Sequence, residues 1–415
     1  MNFLEELTWR GLIKDVTDLE GLKERIQKPM SVYCGFDPTA DSLHIGHLQQ
    51  LLLLKRYQQQ GHHPIALIGG ATGMIGDPRP TTERSLQTLD EINQNIVGIS
   101  AQIRSILCNS DLPVTIVNNY DWLSKIDILT FLRDLGKHFN VNYMIAKDIV
   151  SSRLATGISF TEFTYTILQA ADWLHLYQNH HCEMQIGGSD QWGNLTSGSE
   201  LIRKVVGNQA KVFGVTSPLI TNSDGSKFGK SEGKNIWLDP LKTDSYQFYQ
   251  YWVNVSDNDI IDFMKRLSFL TVEEIMQWDK VTLESPHLRG AQKALAEELT
   301  ELVFNQEGLI SAKKITEVLF SGQFDQLSLS ELQVALADAS FAELSEDALL
   351  IDCLVLAGGA KSKREARDLI SGGSVLVNGQ KITDLEFIVQ KENALHKTMT
   401  VIRKGKKYYF VIRHV

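Results

Sequence analysis

The chain reads as an α/β protein: a doubly wound parallel sheet, then an α-helical domain, then a small α+β module. Three observations carry this reading. Short apolar strands alternate with amphipathic helices through the first half; helical periodicity replaces them from about 236 to 320; short strands return near the end, among basic residues. At 415 residues the chain exceeds one typical domain. The expected divisions are a sheet domain over 1–225 with an inserted segment at about 120–165, a helical domain over 226–320, an acidic connector over 321–348 and a basic module over 349–415.

Ser31–Phe36 alternates as a strand, and Asp37-Pro38-Thr39 turns the chain. Asp41 or Ser42 is placed to cap the next helix, which runs through Leu51–Leu54 and stops near Gly61. Pro64–Ile68 is the following strand, ending in Gly69-Gly70. This is a βαβ unit, right-handed and parallel, and the start of a Rossmann-like sheet. Val114–Asn118 and Glu183–Ile186 supply further strands. In such a sheet the ligand site lies at the carboxyl ends of the strands.

Helices are expected at Tyr246–Val253, Asn258–Leu267 and Leu288–Phe304. Residues 321–348 contain six acidic residues and no basic one, and read as a partly helical connector. Lys361–Ile370 is then a basic helix stopped by Gly372-Gly373. Ser374–Val377 and Gln380–Ile382 flank an Asn378-Gly379 hairpin turn, and Thr400–Arg403 pairs with Tyr408–Arg413.

Composition excludes several classes. Apolar content of 43% and charge of 22% are those of an ordinary globular protein. No run approaches the roughly 18 apolar residues of a membrane span, and Glu5, Glu6 and Arg10 interrupt any signal-peptide pattern. A cytoplasmic location, with no membrane partner, is the expectation. Cys34, Cys108, Cys182 and Cys353 lie far apart and form no CxxC pair, so reduced thiols are expected. His180-His181-Cys182 is a poor metal site, because neighbours on a strand face opposite ways. The net charge of −9 conceals an asymmetry: residues 361–415 hold 12 Lys/Arg against 5 Asp/Glu, leaving 29 against 45 elsewhere. A basic end on an acidic body suits a polyanion such as RNA.

Two short motifs carry the chemistry. His44-Ile45-Gly46-His47 sets two imidazoles three apart in the first turn of a helix, where free N–H groups favour phosphate. Gly46 leaves room for a nucleotide against the backbone. Thr221–Ser231 is a loop of glycines and small polar residues that ends in Lys227-Phe228-Gly229-Lys230-Ser231. Lys227 and Lys230 bring point charges suited to a pyrophosphate. A third pattern is a polar stripe: Tyr165, Gln169 and Asp172 fall at i, i+4 and i+7 on one helix face.

The first two motifs together resemble the HIGH and KMSKS signatures of class I aminoacyl-tRNA synthetases, here with KFGKS. Tyr33–Thr39, Gly76-Asp77-Pro78, Tyr165–Asp172 and Gln185–Gln191 are similar to the tyrosyl family of that class, and the basic end resembles the S4-type RNA-binding domain of its bacterial members. The resemblance implies a tyrosine–tRNA ligase that uses ATP with Mg²⁺, forms tyrosyl-adenylate and charges tRNA(Tyr). It implies catalytic roles for His44, His47, Lys227, Lys230 and Ser231. Tyr33 and Asp172 would bond the phenol of L-tyrosine; Asp77, Tyr165 and Gln169 its ammonium; Gln185 would lie near its carboxylate. Cys34, Gly35, Asp37, Thr39, Gly188, Asp190 and Gln191 would line the sugar and base of ATP, with Gly46 in the same site. Lys361, Lys363, Arg364 and Arg367 would touch RNA.

The family is homodimeric, which makes 120–165 a dimerisation segment, with Ile126–Leu135 and Phe160–Phe163 as its apolar surface. No tightly bound protein metal is implied. One departure stands out: the family's loop after Asp77 carries lysine, whereas Pro78–Arg84 has none, so Arg79 or Arg84 is expected to serve. Gln50 faces either ribose or solvent. The competing readings are a tryptophanyl enzyme, a catalytically silent RNA-binding relative and a small adenylyltransferase.

Overall fold

Six strands build the sheet that organises the first part of the chain: β1 (Asp15–Val16), β2 (Ser31–Phe36), β3 (His63–Ile68), β4 (Thr115–Asn118), β5 (Cys182–Gly188) and β6 (Phe213–Ser217). In the computed structural model, which describes residues 1–78, 87–108, 111–154, 157–225, 228–231, 233–405 and 408–415, their order is β1-β6-β5-β2-β3-β4. All pairs are parallel except β1–β6. The order reverses direction at β2, so a crevice opens at the carboxyl ends of β2 and β5. Strand β6 has no counterpart in the sequence reading. It is buried along its whole length, and its Thr216 and Ser217 hide the apolar run that would have marked it.

Helix α1 (Ile45–Gln59) joins β2 to β3. Leu48, Leu51, Leu52, Leu53, Leu54 and Tyr57 are all 1% exposed or less, and Gln49, Arg56 and Gln58 are buried with them, so most of the helix surface is covered by the fold. Its cap departs from expectation: neither Asp41 nor Ser42 holds the end, but His44, whose imidazole accepts from Gly46 N–H. Helix α2 (Leu89–Ile106) begins with a Thr88–Glu91 capping box. Helices α3 (Phe160–His180) and α4 (Trp192–Val206) flank β5. Trp173 of α3 is fully buried, with its ring centroid 6.1 Å from that of Tyr33.

Contacts divide the chain into two units, 1–243 with 251–303, and 244–250 with 304–415. The first includes α5 (Asp257–Leu267) and α6 (Val272–Glu284). The second carries α7 (Lys363–Ser371) and a five-stranded sheet. Its strands β9 (Ser340–Leu344), β10 (Val375–Val377), β11 (Gln380–Ile382), β12 (Met399–Lys404) and β13 (Tyr408–His414) lie in the order β11-β10-β12-β13-β9; the short β7 (Lys230–Ser231) and β8 (Lys234–Asn235) pair in the first unit. Strand β9 comes from the acidic stretch 321–348 and runs parallel to β13. Its exposed or half-exposed residues give no apolar alternation to read.

Candidate active site

A cavity of about 390 Å³ opens at the carboxyl ends of β2 and β5. Tyr33, Cys34, Gly35, Asp37 and Thr39 reach it from β2 and the turn beyond; His44, Gly46 and His47 from the start of α1; Asp77 from after β3. Tyr165, Gln169 and Asp172 come from α3, and Gln185, Gly188, Asp190 and Gln191 from β5 and its end. These sequence-predicted groups therefore meet in one place.

At the deep end Tyr33 is 1% and Asp172 2% exposed. The Tyr33 hydroxyl has no hydrogen-bond partner, and neither has Gln185 Oε1. Asp172 is held from both sides: Trp122 Nε1–H donates to Oδ1 at 2.8 Å, and Asn119 Nδ2–H to Oδ2 at 2.9 Å. Burial pushes the Asp172 carboxyl up to about 8, despite both donors, and drives the Tyr33 phenol well above its ordinary value. A buried hydroxyl without a partner costs about 1–3 kcal/mol, so this wall fits a ligand that brings its own hydroxyl. Asn119 and Trp122 escaped the sequence reading. Their only signal is position, directly after β4 at the edge of the crevice.

A second cluster sits beside the first. Gln191 Nε2–H donates to Asp77 Oδ2 at 2.8 Å, while its Oε1 accepts from Gln169 at 3.2 Å and Asn194 at 3.1 Å. Tyr165 O–H donates to Asp37 Oδ2 at 2.9 Å, and Thr72 O–H to Asp37 Oδ1 at 2.9 Å. Asn119 also donates to Thr72 Oγ1 at 3.0 Å, which joins this cluster to Asp172. Gln191 and Asp37, expected along the sugar and base, thus share one network with Asp77, Tyr165 and Gln169. Acceptors dominate here, a setting for a cationic group.

The opposite end is built from main chain. His44 Nδ1 accepts from Gly46 N–H at 3.0 Å, and His47 Nδ1 from His44 N–H at 3.2 Å. A backbone N–H can only donate, so both Nδ1 atoms are unprotonated and each ring proton sits on Nε2. Burial, then the neighbouring His44, pulls His47 down to about 3, so it is neutral near pH 7 and acts as an N–H donor without charge. Gly46 has a reason other than nucleotide clearance: a Cβ there would lie 2.6 Å from His44 Cε1.

Ile236 and Leu238 pair with this turn through their backbone. Ile45 N–H donates to Ile236 O at 3.0 Å, Leu238 N–H to Leu43 O at 2.8 Å, and Ile236 N–H to Gly229 O at 3.0 Å. Gly229 has a φ of +85°, and its N–H donates to Tyr251 Oη at 3.2 Å. Lys230 is exposed on β7. Lys227, the Ser231 side chain, Arg79 and Arg84 lie outside the described residues. Gln50 lines the cavity and donates to Ser217 Oγ at 2.7 Å.

In the second unit Lys361, Lys363, Arg364 and Arg367 are exposed at the start of α7, where Lys363 Nζ also pairs with Asp352 at 2.6 Å. Among the described residues no three His, Cys, Asp or Glu groups converge as a metal cage, and no helix is long and apolar enough to cross a membrane.

Comparison with known proteins agrees along the whole length. The family described as tRNA synthetases class I (W and Y) matches residues 24–321, and the tyrosine–tRNA ligase SYY-like C-terminal domain matches 331–412. Tyrosine–tRNA ligase 1 of Bacillus cereus is 50% identical over 419 residues, covering 100% of both chains. The tyrosine–tRNA ligase of Listeria monocytogenes is 48% identical over 418 residues, again covering 100% of both. Among solved structures, a C-terminally truncated mitochondrial tyrosyl-tRNA synthetase of Aspergillus nidulans superposes with a TM-score of 0.68 at 31% identity, covering 77% of this chain and 94% of that one.

Proposed function

Because the chain belongs to the class I tRNA synthetases (W and Y), with the tyrosine-type domain at its C-terminal end, we infer that the cavity activates L-tyrosine and that the molecule charges tRNA with it. It is an enzyme, a tyrosine–tRNA ligase: tyrosine and ATP give tyrosyl-adenylate and pyrophosphate, and the tyrosyl group passes to the 3′ end of tRNA(Tyr). The observation that carries the pocket assignment is the partnerless Tyr33 hydroxyl beside a fixed Asp172 carboxyl, both buried.

The substrate phenol completes that pair. Its ammonium sits among Asp77, Tyr165 and Gln169, oriented by Gln191, with Gln185 at the carboxylate side. The tyrosine carboxylate oxygen attacks the α-phosphorus of ATP in line, the bond from that phosphorus to the bridging oxygen breaks, and pyrophosphate leaves with the electron pair. Such a transfer needs positioning and neutralisation of charge more than a general base. His44 and His47 offer Nε2–H donors to phosphate oxygens, while Lys230, with Lys227 and Ser231, meets the pyrophosphate. Mg²⁺ that arrives with ATP neutralises phosphate charge and is held mainly by phosphates and water.

Cys34, Gly35, Thr39, Gly188 and Asp190 face the sugar and base. We assign Lys361, Lys363, Arg364 and Arg367 to the RNA backbone, and the subunit contact of a homodimer to 120–165. Ile128, Leu129, Leu132, Val141, Tyr143 and Phe160 there are each 50% exposed or more, which supports the latter. The enzyme works in the cytoplasm, where its tRNA is. Full-length identity to tyrosine–tRNA ligases favours neither a silent relative nor a tryptophanyl enzyme. Transfer of labelled tyrosine to tRNA, dependent on ATP, tests the assignment; absence of charging by well-folded protein overturns it.

A further inference from the structure

The grip on Asp172 has a support outside the active-site cavity. His175 lies three residues beyond Asp172 on α3, so both project from one side of the helix. Its half-buried ring stacks on the indole of Trp122, with centroids 4.2 Å apart and planes 9° from parallel. That indole is the one whose Nε1–H donates to Asp172 Oδ1 at 2.8 Å. His175 is itself fixed. Asn179 Nδ2–H donates to His175 O at 2.9 Å, and a carbonyl only accepts, which sets the orientation of the amide. The same nitrogen lies 3.3 Å from His175 Nδ1, which therefore accepts, so the ring is neutral with its proton on Nε2. Burial, then His180 and Lys125, keeps the ring pKa below its ordinary value.

The indole has another place to go. A second cavity, of about 370 Å³, is lined by Ile96, Ile116, Val117, Asp121, Trp122 and His175 among others, and shares no lining residue with the active site. Without a flat ring against it, the indole has room to tilt into that space, where Asp121 is a competing acceptor for Nε1–H. Of the two donors that hold Asp172, only Asn119 would then remain, and one carboxylate oxygen would lose its anchor.

We propose that His175 is a positioning residue for tyrosine selectivity: by stacking on Trp122 it keeps the indole N–H on Asp172, and so fixes the carboxyl that meets the substrate phenol. It touches no substrate itself. This rests on the ligase reading above. The test is amino-acid-dependent exchange of pyrophosphate into ATP, with tyrosine and phenylalanine, using wild type, His175→Ala, His175→Phe, Trp122→Phe and the Trp122→Phe/His175→Ala double variant. His175→Ala raises the tyrosine KM about three- to tenfold, while kcat, the ATP KM and kcat/KM for phenylalanine stay within about twofold. Preference for tyrosine over phenylalanine falls by the same factor. His175→Phe, which keeps a flat face, restores it, and His175→Ala adds nothing in the Trp122→Phe background.

The proposal is overturned if folded His175→Ala keeps the wild-type tyrosine KM, or if both amino acids lose equally. A loss of the same size in the Trp122→Phe background also overturns it, because His175 would then act other than through the indole. Should His175→Ala fail to fold, His175→Leu, which fills the space without a flat face, is measured in its place with the same expectation. Absence of tyrosine-dependent exchange by wild type counts against the ligase reading instead.

Discussion

The two ends of the cavity are held by different parts of the chain. Around the end proposed for tyrosine, side chains fix one another: Trp122 and Asn119 grip Asp172, Thr72 and Tyr165 grip Asp37, and Gln191 ties Asp77 to Gln169. Around the end proposed for phosphate, the main chain does the holding, through Ile45, Leu43, Ile236 and Leu238, and the histidines are anchored by backbone N–H groups. The difference teaches where selectivity and rate reside. A pocket whose polar groups are set before the ligand arrives rejects whatever leaves them unpaired. A backbone frame that presents ring N–H groups and an exposed lysine acts on charge as it develops.

The largest effect is expected at the phosphate end. Lys230→Ala should slow adenylate formation by roughly 100- to 1,000-fold while tyrosine affinity stays within about twofold, because the lysine acts in the transition state. Pre-steady-state rates with equilibrium titration of tyrosine check this; an unchanged rate removes Lys230 from the chemistry.

Asp172→Asn inverts the pattern. Preference for tyrosine over phenylalanine, as a ratio of kcat/KM, should fall by about 10- to 100-fold, while exchange at saturating tyrosine suffers less. In the second unit, joint replacement of Lys361, Arg364 and Arg367 by Ala should leave exchange intact. It should weaken tRNA binding by about tenfold and flatten the salt dependence by about 2–3 in log–log slope. A slope equal to wild type takes these residues out of the RNA surface.

A further effect concerns stability against pH, and the two ends differ in sign. His47 in the fold lies below the ordinary 6.5, at about 3. Its stabilising contribution is therefore complete above about 6.5 and is lost as the pH falls toward 3, about 2 kcal/mol by pH 5. Thermal unfolding of wild type and His47→Asn should show wild type losing that much more between pH 7 and 5. Asp172, raised from 3.8 to about 8, runs the other way: its contribution is complete below 3.8 and is lost as the pH rises through about 8. Asp172→Asn should gain on wild type as the pH rises from 3.8 to about 8. Parallel pH profiles for a variant and wild type contradict the matching shift.

Much of this arrangement is legible in the sequence where local periodicity governs it. The i, i+4, i+7 stripe of Tyr165, Gln169 and Asp172 does face the cavity, since helix geometry alone sets it. The β2–α1–β3 unit is equally local. What escapes depends on distant partners or on unusual chemistry. Asn119 and Trp122 act on Asp172 across about 50 positions, and the pairing of Leu43 with Leu238 spans nearly 200. Asp41 and Ser42 are the residue types that usually cap a helix, whereas the cap here is His44, and an imidazole is a rare acceptor in that place. Strands β6 and β9 lack the alternation that reveals strands, one being wholly buried and the other largely exposed.

The most direct test of the central claim is exchange of labelled pyrophosphate into ATP, with tyrosine, phenylalanine and tryptophan compared in parallel. The account predicts exchange with tyrosine and rates lower by at least about 100-fold with the other two, from a hydroxyl wall left unpaired. Equal exchange with phenylalanine, or exchange driven by tryptophan, would contradict the assignment of Tyr33 and Asp172 to the phenol.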